Sequence, residues 1–204
     1  MSTQPGNYPE DKDLVSHVLR GDHAAFARIV KNTEALVASI VYKMIPGQED
    51  RKDIAQDIYL KAFHKLAGFK FQCKLSTWIG QIAYNTCLSW LEKKKLVLPE
   101  GLRGDHDSHE DPLDQLSNHR ANLFDQPSAA PLLEKQRNAI INAAIDQLSP
   151  VYKTIVSLYH QQELSYAEIA EMTSLPEGTV KSYLFRARKA LKDHLLLQYK
   201  KEEL

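Results

Sequence analysis

The sequence predicts an all-α protein made of two small helical domains joined by a flexible acidic linker. Apolar residues recur at helical spacing through residues 13–95 and 134–195, and no stretch alternates apolar and polar residues long enough to form a convincing strand. Between these ranges, residues 96–133 contain seven acidic and two basic residues together with several prolines and glycines. This composition is typical of a linker and not of a packed core.

Four amphipathic helices are predicted in the first domain, which follows a disordered N-terminal segment of residues 1–12. The loop Gly68–Lys74 separates the last two helices and contains two aromatic residues and two lysines. The third helix has a polar side of mixed charge, and the fourth ends in a run of three lysines. The four helices are expected to run from near Asp11 to Gly21, from His23 to Met44, from Glu49 to Leu66 and from Ser76 to Lys95.

The second domain contains the most informative stretch of the chain, two helices joined by a tight corner. Ser165 and Glu168 form the pattern of a capping box at the start of the first helix, and Pro176 is expected early in the second. Residues 178–192 contain five basic residues and no acid. Their apolar side is narrow and consists of Val180, Leu184, Ala187 and Leu191. A short helix, a corner and a helix with a cationic outer face predict a helix-turn-helix whose second helix enters the major groove of DNA.

Composition and targeting signals restrict the remaining possibilities. The formal net charge is zero, so nucleic-acid binding must come from local patches. The two cysteines, Cys73 and Cys87, are too few for a disulfide framework and lack zinc-site spacing. No signal peptide or membrane-spanning run is evident, which leads us to expect a cytoplasmic protein with no membrane insertion. Residues 196–204 are expected to form a polar tail.

Nothing in the residue pattern indicates a catalyst, a metal centre or a cofactor. The chain lacks the phosphate-binding, zinc-protease and nucleophile-elbow motifs, and we therefore expect no enzymatic activity and no small-molecule substrate. His106, His109 and His119 lie in the acidic linker without a second ligand type at fixed spacing, which favours solvated histidines over a metal site.

Two protein families resemble the second domain. The segment GTVKS and the basic helix that follows it are similar both to the C-terminal half of bacterial sigma factors and to the output domain of LuxR-type activators. The first domain distinguishes between these two families. It resembles region 2 of the extracytoplasmic-function (ECF) sigma factors of the sigma-70 family in two segments, DIAQDIYLKAFHKLAGFK (53–70) and LSTWIGQIAYNTCLSWLEKKK (75–95). Residues 148–191 are correspondingly similar to region 4 of these factors.

The resemblance implies a dissociable initiation factor that binds core RNA polymerase and promoter DNA. The polar side of the third helix would dock on the clamp helices of the largest catalytic subunit through Asp53, Gln56, Asp57 and Lys61. From the residue pattern alone, a solvated helix face is the alternative. The resemblance also implies an anti-sigma factor as a partner, and little sequence-specific DNA affinity in the chain by itself.

Two sets of promoter contacts follow from the same resemblance. The −10 element would be captured as a single strand by Phe69, Lys70, Phe71, Lys74, Ser76, Thr77, Trp78, Tyr84, Asn85, Lys93 and Lys94. Core packing of Trp78 and a structural hydrogen bond of Asn85 remain equal alternatives. The −35 element would be read as duplex by Thr179, Lys181, Ser182, Tyr183, Arg186 and Lys189. Many relatives carry arginine where this chain has Tyr183, which lies close to the apolar stripe.

A stand-alone activator or repressor is the main competing hypothesis. Such a protein would bind duplex DNA through its helix-turn-helix and would need neither the region 2 motifs nor core polymerase. Binding to core polymerase therefore distinguishes the two functions.

Overall fold

The computed structural model describes residues 8–97 and 140–202, with side chains for 8–94 and 140–196. These ranges are helical and contain no strand, which confirms the predicted all-α class. The acidic linker, its histidines and the N-terminal seven residues lie outside the described ranges. The helices are α1 (Pro9–Leu19), α2 (His23–Met44), α3 (Gln48–Lys65), a 3-10 turn (Leu66–Gly68), α4 (Leu75–Val97), α5 (described for 140–146), α6 (Pro150–His160), α7 (Tyr166–Thr173) and α8 (Glu177–Glu202).

Local sequence signals mark several helix starts. Asp22 caps α2, because its carboxylate accepts hydrogen bonds from the backbone N–H groups of Ala24 (2.9 Å) and Ala25 (3.1 Å). The first helix begins at Pro9, earlier than predicted. Its proline occupies the first turn and two acidic residues complement the positive end of the helix.

Helix α8 differs from the prediction at both of its ends. Pro176 lies just before α8 instead of inside it, and its carbonyl accepts the N–H groups of Thr179 and Val180. Helix α8 continues to Glu202, through most of the range expected to be a tail. Side chains beyond residue 196 are outside the described set.

The two predicted domains pack against each other and share one continuous hydrophobic core. Helix α2 lies between α4 of the first domain and α6 of the second, and α4 also packs on α7. The hydroxyl groups of Ser39 and Ser157 are 2.9 Å apart across this junction. Met172 fills the space above Gly80, where an added Cβ would lie 2.7 Å from its sulfur. This arrangement brings helix-turn-helix residues onto the face of α4.

The capping box at the start of α7 is present as predicted. The Glu168 N–H donates to the Ser165 hydroxyl oxygen (3.2 Å), and the Ser165 N–H donates to the Glu168 carboxylate (3.0 Å). We expect Ser165→Ala to lower the free energy of unfolding by about 1 kcal/mol, because an N–H of the first turn loses its acceptor. Thermal unfolding followed by circular dichroism should show a melting temperature lower by about 2–4 °C. Ser89→Ala, at an exposed position of α4, is the control, and equal shifts for both variants would contradict this role.

Candidate nucleic-acid and polymerase interfaces

The outer face of α8 is exposed and cationic. Phe185 is 70% exposed at its centre. Lys181, Ser182, Arg186 and Lys189 are exposed around it, and Thr179 is half-buried at the edge. The opposite side packs into the core through Val180, Leu184 and Ala187. The separation of faces predicted from helical spacing is therefore present, and it leaves a surface suited to a DNA groove.

Tyr183 does not belong to this outer face. It is only 8% exposed, and its ring meets the ring of Tyr152 edge-on at a centroid distance of 5.2 Å. Position 183 lies 100° from the exposed position 182 along the helix, on the side that packs in the core. We therefore revise the predicted −35 contact set by removing Tyr183, which acts as a packing residue in this structure.

An aromatic and cationic cluster beside the recognition helix was missed in the sequence. The rings of Tyr159 and Tyr166 stack in parallel, with centroids 5.0 Å apart and an interplanar angle of 6°. Lys181 lies over the Tyr166 ring at 5.4 Å and Arg188 over the Tyr159 ring at 5.5 Å. His160 approaches Arg188 at 3.4 Å. We name these five residues the tyrosine–cation cluster. Lys181 and Arg188 are seven residues apart, two helical turns, which is the signal that could have revealed it.

The predicted polymerase-docking residues share one side of α3. Asp53, Gln56 and Asp57 are exposed, and Lys61 is half-buried. The Lys61 ammonium is 2.7 Å from an Asp57 carboxylate oxygen and also donates to the Thr86 hydroxyl of α4 at 3.3 Å. These contacts hold a carboxylate and an ammonium side by side on a rigid helix. Such a fixed pattern can pair with charged residues of a partner helix.

The loop predicted to contact the −10 element is held together by its aromatic residues. Phe69 is buried, with its ring centroid 4.7 Å from that of Phe71 and 5.1 Å from that of Trp78. Trp78 is half-buried, so it both packs and keeps an accessible edge. Phe69 itself does not face solvent, and its predicted direct contact with a base is replaced by a supporting role under Phe71.

The other predicted −10 residues divide into accessible and covered groups. The accessible group is exposed or half-buried and contains Lys70, Phe71, Lys74, Ser76, Asn85, Lys93 and Lys94. Thr77 and Tyr84 are only 2% and 4% exposed, and this burial raises the pKa of Tyr84 to about 12. Their burial makes both residues inaccessible to DNA in this arrangement, in which α4 packs against α2 and α7.

The junction over α4 contains a specific ion pair. The Lys74 ammonium lies 2.6 Å from a Glu168 carboxylate oxygen. The hydrogen bond and the charge of Glu168 raise the pKa of Lys74. Partial burial acts to raise the pKa of Glu168, but the hydrogen bonds from Lys74 and Ser165 outweigh it and the pKa is lowered. Both groups therefore stay charged at neutral pH.

The described ranges show no metal-binding cluster and no membrane-spanning helix. Among their side chains, no group of three or more His, Cys, Asp or Glu residues could hold a metal ion. Burial raises the pKa of both cysteine thiols to about 12, which makes them poor nucleophiles. Within the same ranges, no helix has the length and apolar character needed to cross a membrane.

Comparison with known protein families matches a family model to each of the two helical domains. The family model for sigma-70 region 2 matches residues 29–97, and the model for sigma-70 region 4 matches residues 138–191. The chain is 30% identical to the RNA polymerase sigma-H factor of Pseudomonas aeruginosa over 183 residues, 89% of this chain and 92% of that protein. It is also 30% identical to the ECF RNA polymerase sigma factor SigW of Bacillus subtilis, with 90% of this chain and 96% of that protein covered.

Solved structures show the same fold at lower sequence identity. CnrH in complex with the cytosolic domain of CnrY matches with a TM-score of 0.61 and 17% identity, covering 91% of this chain and 96% of that one. The sigma factor RpoE in complex with the anti-sigma factor NepR from Bartonella quintana matches with a TM-score of 0.62 and 20% identity. The match covers 83% of this chain and 96% of that one.

Together, the two matched regions, the helical fold and the full-length relatives define a sigma factor of the sigma-70 type. The chain belongs to the extracytoplasmic-function group of that family. It is therefore an alternative sigma factor that serves transcription initiation, and thus a regulator of transcription.

Proposed function

We propose that this sigma factor docks on the clamp helices of core RNA polymerase through α3, reads the −35 element with α8 and captures the −10 element with the start of α4. The observation that carries the proposal is that one chain presents both surfaces, a carboxylate and amide face on α3 and a cationic face on α8, on which an ion pair joins Lys181 to Glu177 at 3.9 Å. A stand-alone DNA-binding regulator has no use for the first of these surfaces.

Promoter melting is the finer part of this proposal. The aromatic edges of Phe71 and Trp78 lie beside Lys70 and Lys74 in chain order, so stacking surfaces and phosphate partners are close together. Single-stranded nucleic acid is bound by this combination of aromatic and cationic side chains. A strand held there could not re-pair with its complement, which would favour the open promoter.

The tyrosine–cation cluster extends the proposed −35 interface to the DNA backbone. Lys181 and Arg188 lie on one flank of α8, and Tyr166 opens α7, the helix that crosses the backbone in a helix-turn-helix. Guanidinium, ammonium and phenolic hydroxyl groups all donate hydrogen bonds to phosphates. We assign this cluster to a backbone phosphate at the edge of the major groove.

An anti-sigma factor is the proposed regulatory partner. RpoE of Bartonella quintana, which has the same fold, was solved in complex with the anti-sigma factor NepR. By this likeness, a partner protein would hold the chain away from polymerase in the cytoplasm.

Reconstituted transcription is the experiment that tests the function. Core polymerase with the purified chain should start transcripts at defined sites on genomic DNA of the source organism, and core polymerase alone should not. Alignment of the start sites should yield −35 and −10 motifs. If the chain binds duplex DNA sequence-specifically but neither binds core nor directs initiation, the stand-alone regulator replaces this proposal.

Phe185 offers a prediction about −35 specificity. A phenyl ring exposed at the centre of the recognition helix can contact the methyl group of a thymine in the major groove. Phe185→Ala should weaken binding of the holoenzyme to its preferred −35 duplex by about 1 kcal/mol, a factor of about 5. Replacing that thymine by uracil should weaken the wild type and leave the variant unaffected. Equal losses with uracil for both proteins would contradict the contact.

A further inference from the structure

Three basic residues meet beside the end of α2. Lys43 lies in the last turn of α2, Arg51 in the first turn of α3 and Lys153 in the first turn of α6. All three are half-buried, and among the described residues none of them forms an ion pair with a carboxylate. We name them the junction cations. They belong to neither the polymerase contacts nor the promoter contacts proposed above.

Arg51 is fixed in place by the chain around it. Its Nε donates to the Ile45 carbonyl at 2.6 Å and a terminal nitrogen donates to the Pro46 carbonyl at 3.2 Å. Its guanidinium lies 4.0 Å from the ring centroid of Tyr42, which is 46% exposed, and the Lys43 ammonium lies 6.0 Å from the same centroid. Because these contacts leave one terminal nitrogen of the guanidinium unused, Arg51 keeps donors for a further acceptor.

Packing of α6 on α2 brings Lys153 to the same place. The hydroxyl groups of Ser39 and Ser157 are 2.9 Å apart, and Lys43 and Lys153 each lie one helical turn from that contact. Burial lowers the pKa of Lys153, the charge of Asp146 opposes this, and the charges of Lys43 and Arg51 lower it further. The cations are therefore close enough to repel one another, and an anion between them would relieve this repulsion.

The N-terminus of α6 adds donors beside Lys153. Ser149 is the N-cap residue and is only 6% exposed, yet its hydroxyl accepts no hydrogen bond from the first turn. This hydroxyl is buried without a hydrogen-bond partner among the described residues. The first N–H groups of a helix have no acceptor inside the helix, and the helix dipole favours an anion at this end. A buried unsatisfied hydroxyl is costly, so a ligand that accepts its hydrogen bond is favoured.

We propose that the junction cations and the N-terminus of α6 bind a diphosphate or triphosphate group, carried by a free nucleotide or by an inorganic polyphosphate. A phosphate chain has several charged oxygens, which suits cations that come from three separate helices. Lys43 and Arg51 belong to the first domain, and Ser149 and Lys153 to the second. The bound anion therefore adds its binding free energy to the contact between the domains.

Calorimetric titration of the free chain with inorganic tripolyphosphate, in a buffer free of phosphate and magnesium, tests the site. We expect saturable binding of one tripolyphosphate per chain. Lys153→Gln should weaken it by about tenfold, because one charge-assisted hydrogen bond is lost. Lys31→Gln removes the same charge from an exposed position of α2 and should leave the affinity unchanged. Equal losses for both variants would show attraction to overall charge and would overturn the site.

Arg188→Gln separates this site from the recognition helix. Arg188 belongs to the tyrosine–cation cluster assigned to a DNA phosphate, so the variant should bind tripolyphosphate as the wild type does. If Arg188→Gln loses the binding and Lys153→Gln keeps it, the phosphate chain sits on the DNA-binding face and the proposal is wrong.

Thermal stability provides a readout of opposite sign. Lys153→Met keeps the apolar stem but removes a half-buried charge beside two like charges, so without ligand it should melt about 1–3 °C above the wild type. Tripolyphosphate at 100 times its dissociation constant should raise the melting temperature of the wild type by about 5–10 °C and that of the variant far less. A variant that melts below the wild type and gains as much from tripolyphosphate would show that Lys153 only packs.

ATP and adenosine distinguish the two sources of the phosphate chain. If ATP binds more tightly than tripolyphosphate and Tyr42→Ala removes the difference, the ligand is a nucleotide whose base stacks on the exposed Tyr42 ring. Equal affinities, unchanged by Tyr42→Ala, identify the inorganic chain. Adenosine lacks phosphates and should not bind; adenosine that binds as tightly as ATP would contradict a phosphate site.

Discussion

Asp57→Arg is expected to abolish capture of core RNA polymerase by the purified chain. Asp57 is exposed on the proposed docking face of α3, and its carboxylate lies 2.7 Å from the Lys61 ammonium. Reversal of its charge removes the carboxylate offered to the clamp helices and places a second cation beside Lys61. Like charges brought together at an interface cost several kcal/mol, so the affinity should fall by about 100-fold or more in a pull-down or a titration.

Glu34→Arg is the matched control for this reversal. Glu34 is exposed on α2, outside the docking face, and its reversal changes the net charge by the same amount. The control should bind core polymerase as the wild type does. Equal capture of Asp57→Arg and wild type would leave the function intact but remove α3 as the docking surface. Loss of capture by both variants would point to the overall charge of the chain.

The elements predicted correctly are those with local causes. The limits of α2 follow from the Asp22 cap at one end and the Ile45-Pro46-Gly47 segment at the other. The capping box of α7 is encoded in two residues, Ser165 and Glu168. The exposed face of α8 follows from helical periodicity alone. In each case the determining residues lie within one or two turns of the feature they produce.

The features missed in the sequence depend on residues far apart in the chain. Thr77 and Tyr84 lie on the side of α4 expected to face DNA, but both are buried in the folded chain, in which α4 packs against α2 and α7. The tyrosine–cation cluster needs the end of α6, the start of α7 and two turns of α8 to meet. Helical periodicity within one element cannot report which partner covers a polar face. The acidic linker suggested separated domains, whereas the packing of Met172 on Gly80 brings the two domains into direct contact.

Arg186→Ala should remove sequence preference at the −35 element. Arg186 is exposed on the outer face of α8, one position after Phe185, where a guanidinium can donate two hydrogen bonds to a guanine. We expect a loss of about 1–3 kcal/mol for the preferred duplex, a factor of about 5 to 150, and almost none for a scrambled duplex. Competition binding of the holoenzyme to both duplexes measures the difference.

Arg188→Gln provides the contrast, because Arg188 lies two residues further along α8 in the tyrosine–cation cluster. Loss of a phosphate contact should weaken the preferred and scrambled duplexes by the same factor and lower the slope of log affinity against log salt by about 0.9. The two arginines therefore separate base reading from backbone anchoring within one helix. If Arg188→Gln changes the preferred sequence while the salt slope stays constant, the cluster reads bases and its assignment to a phosphate is wrong.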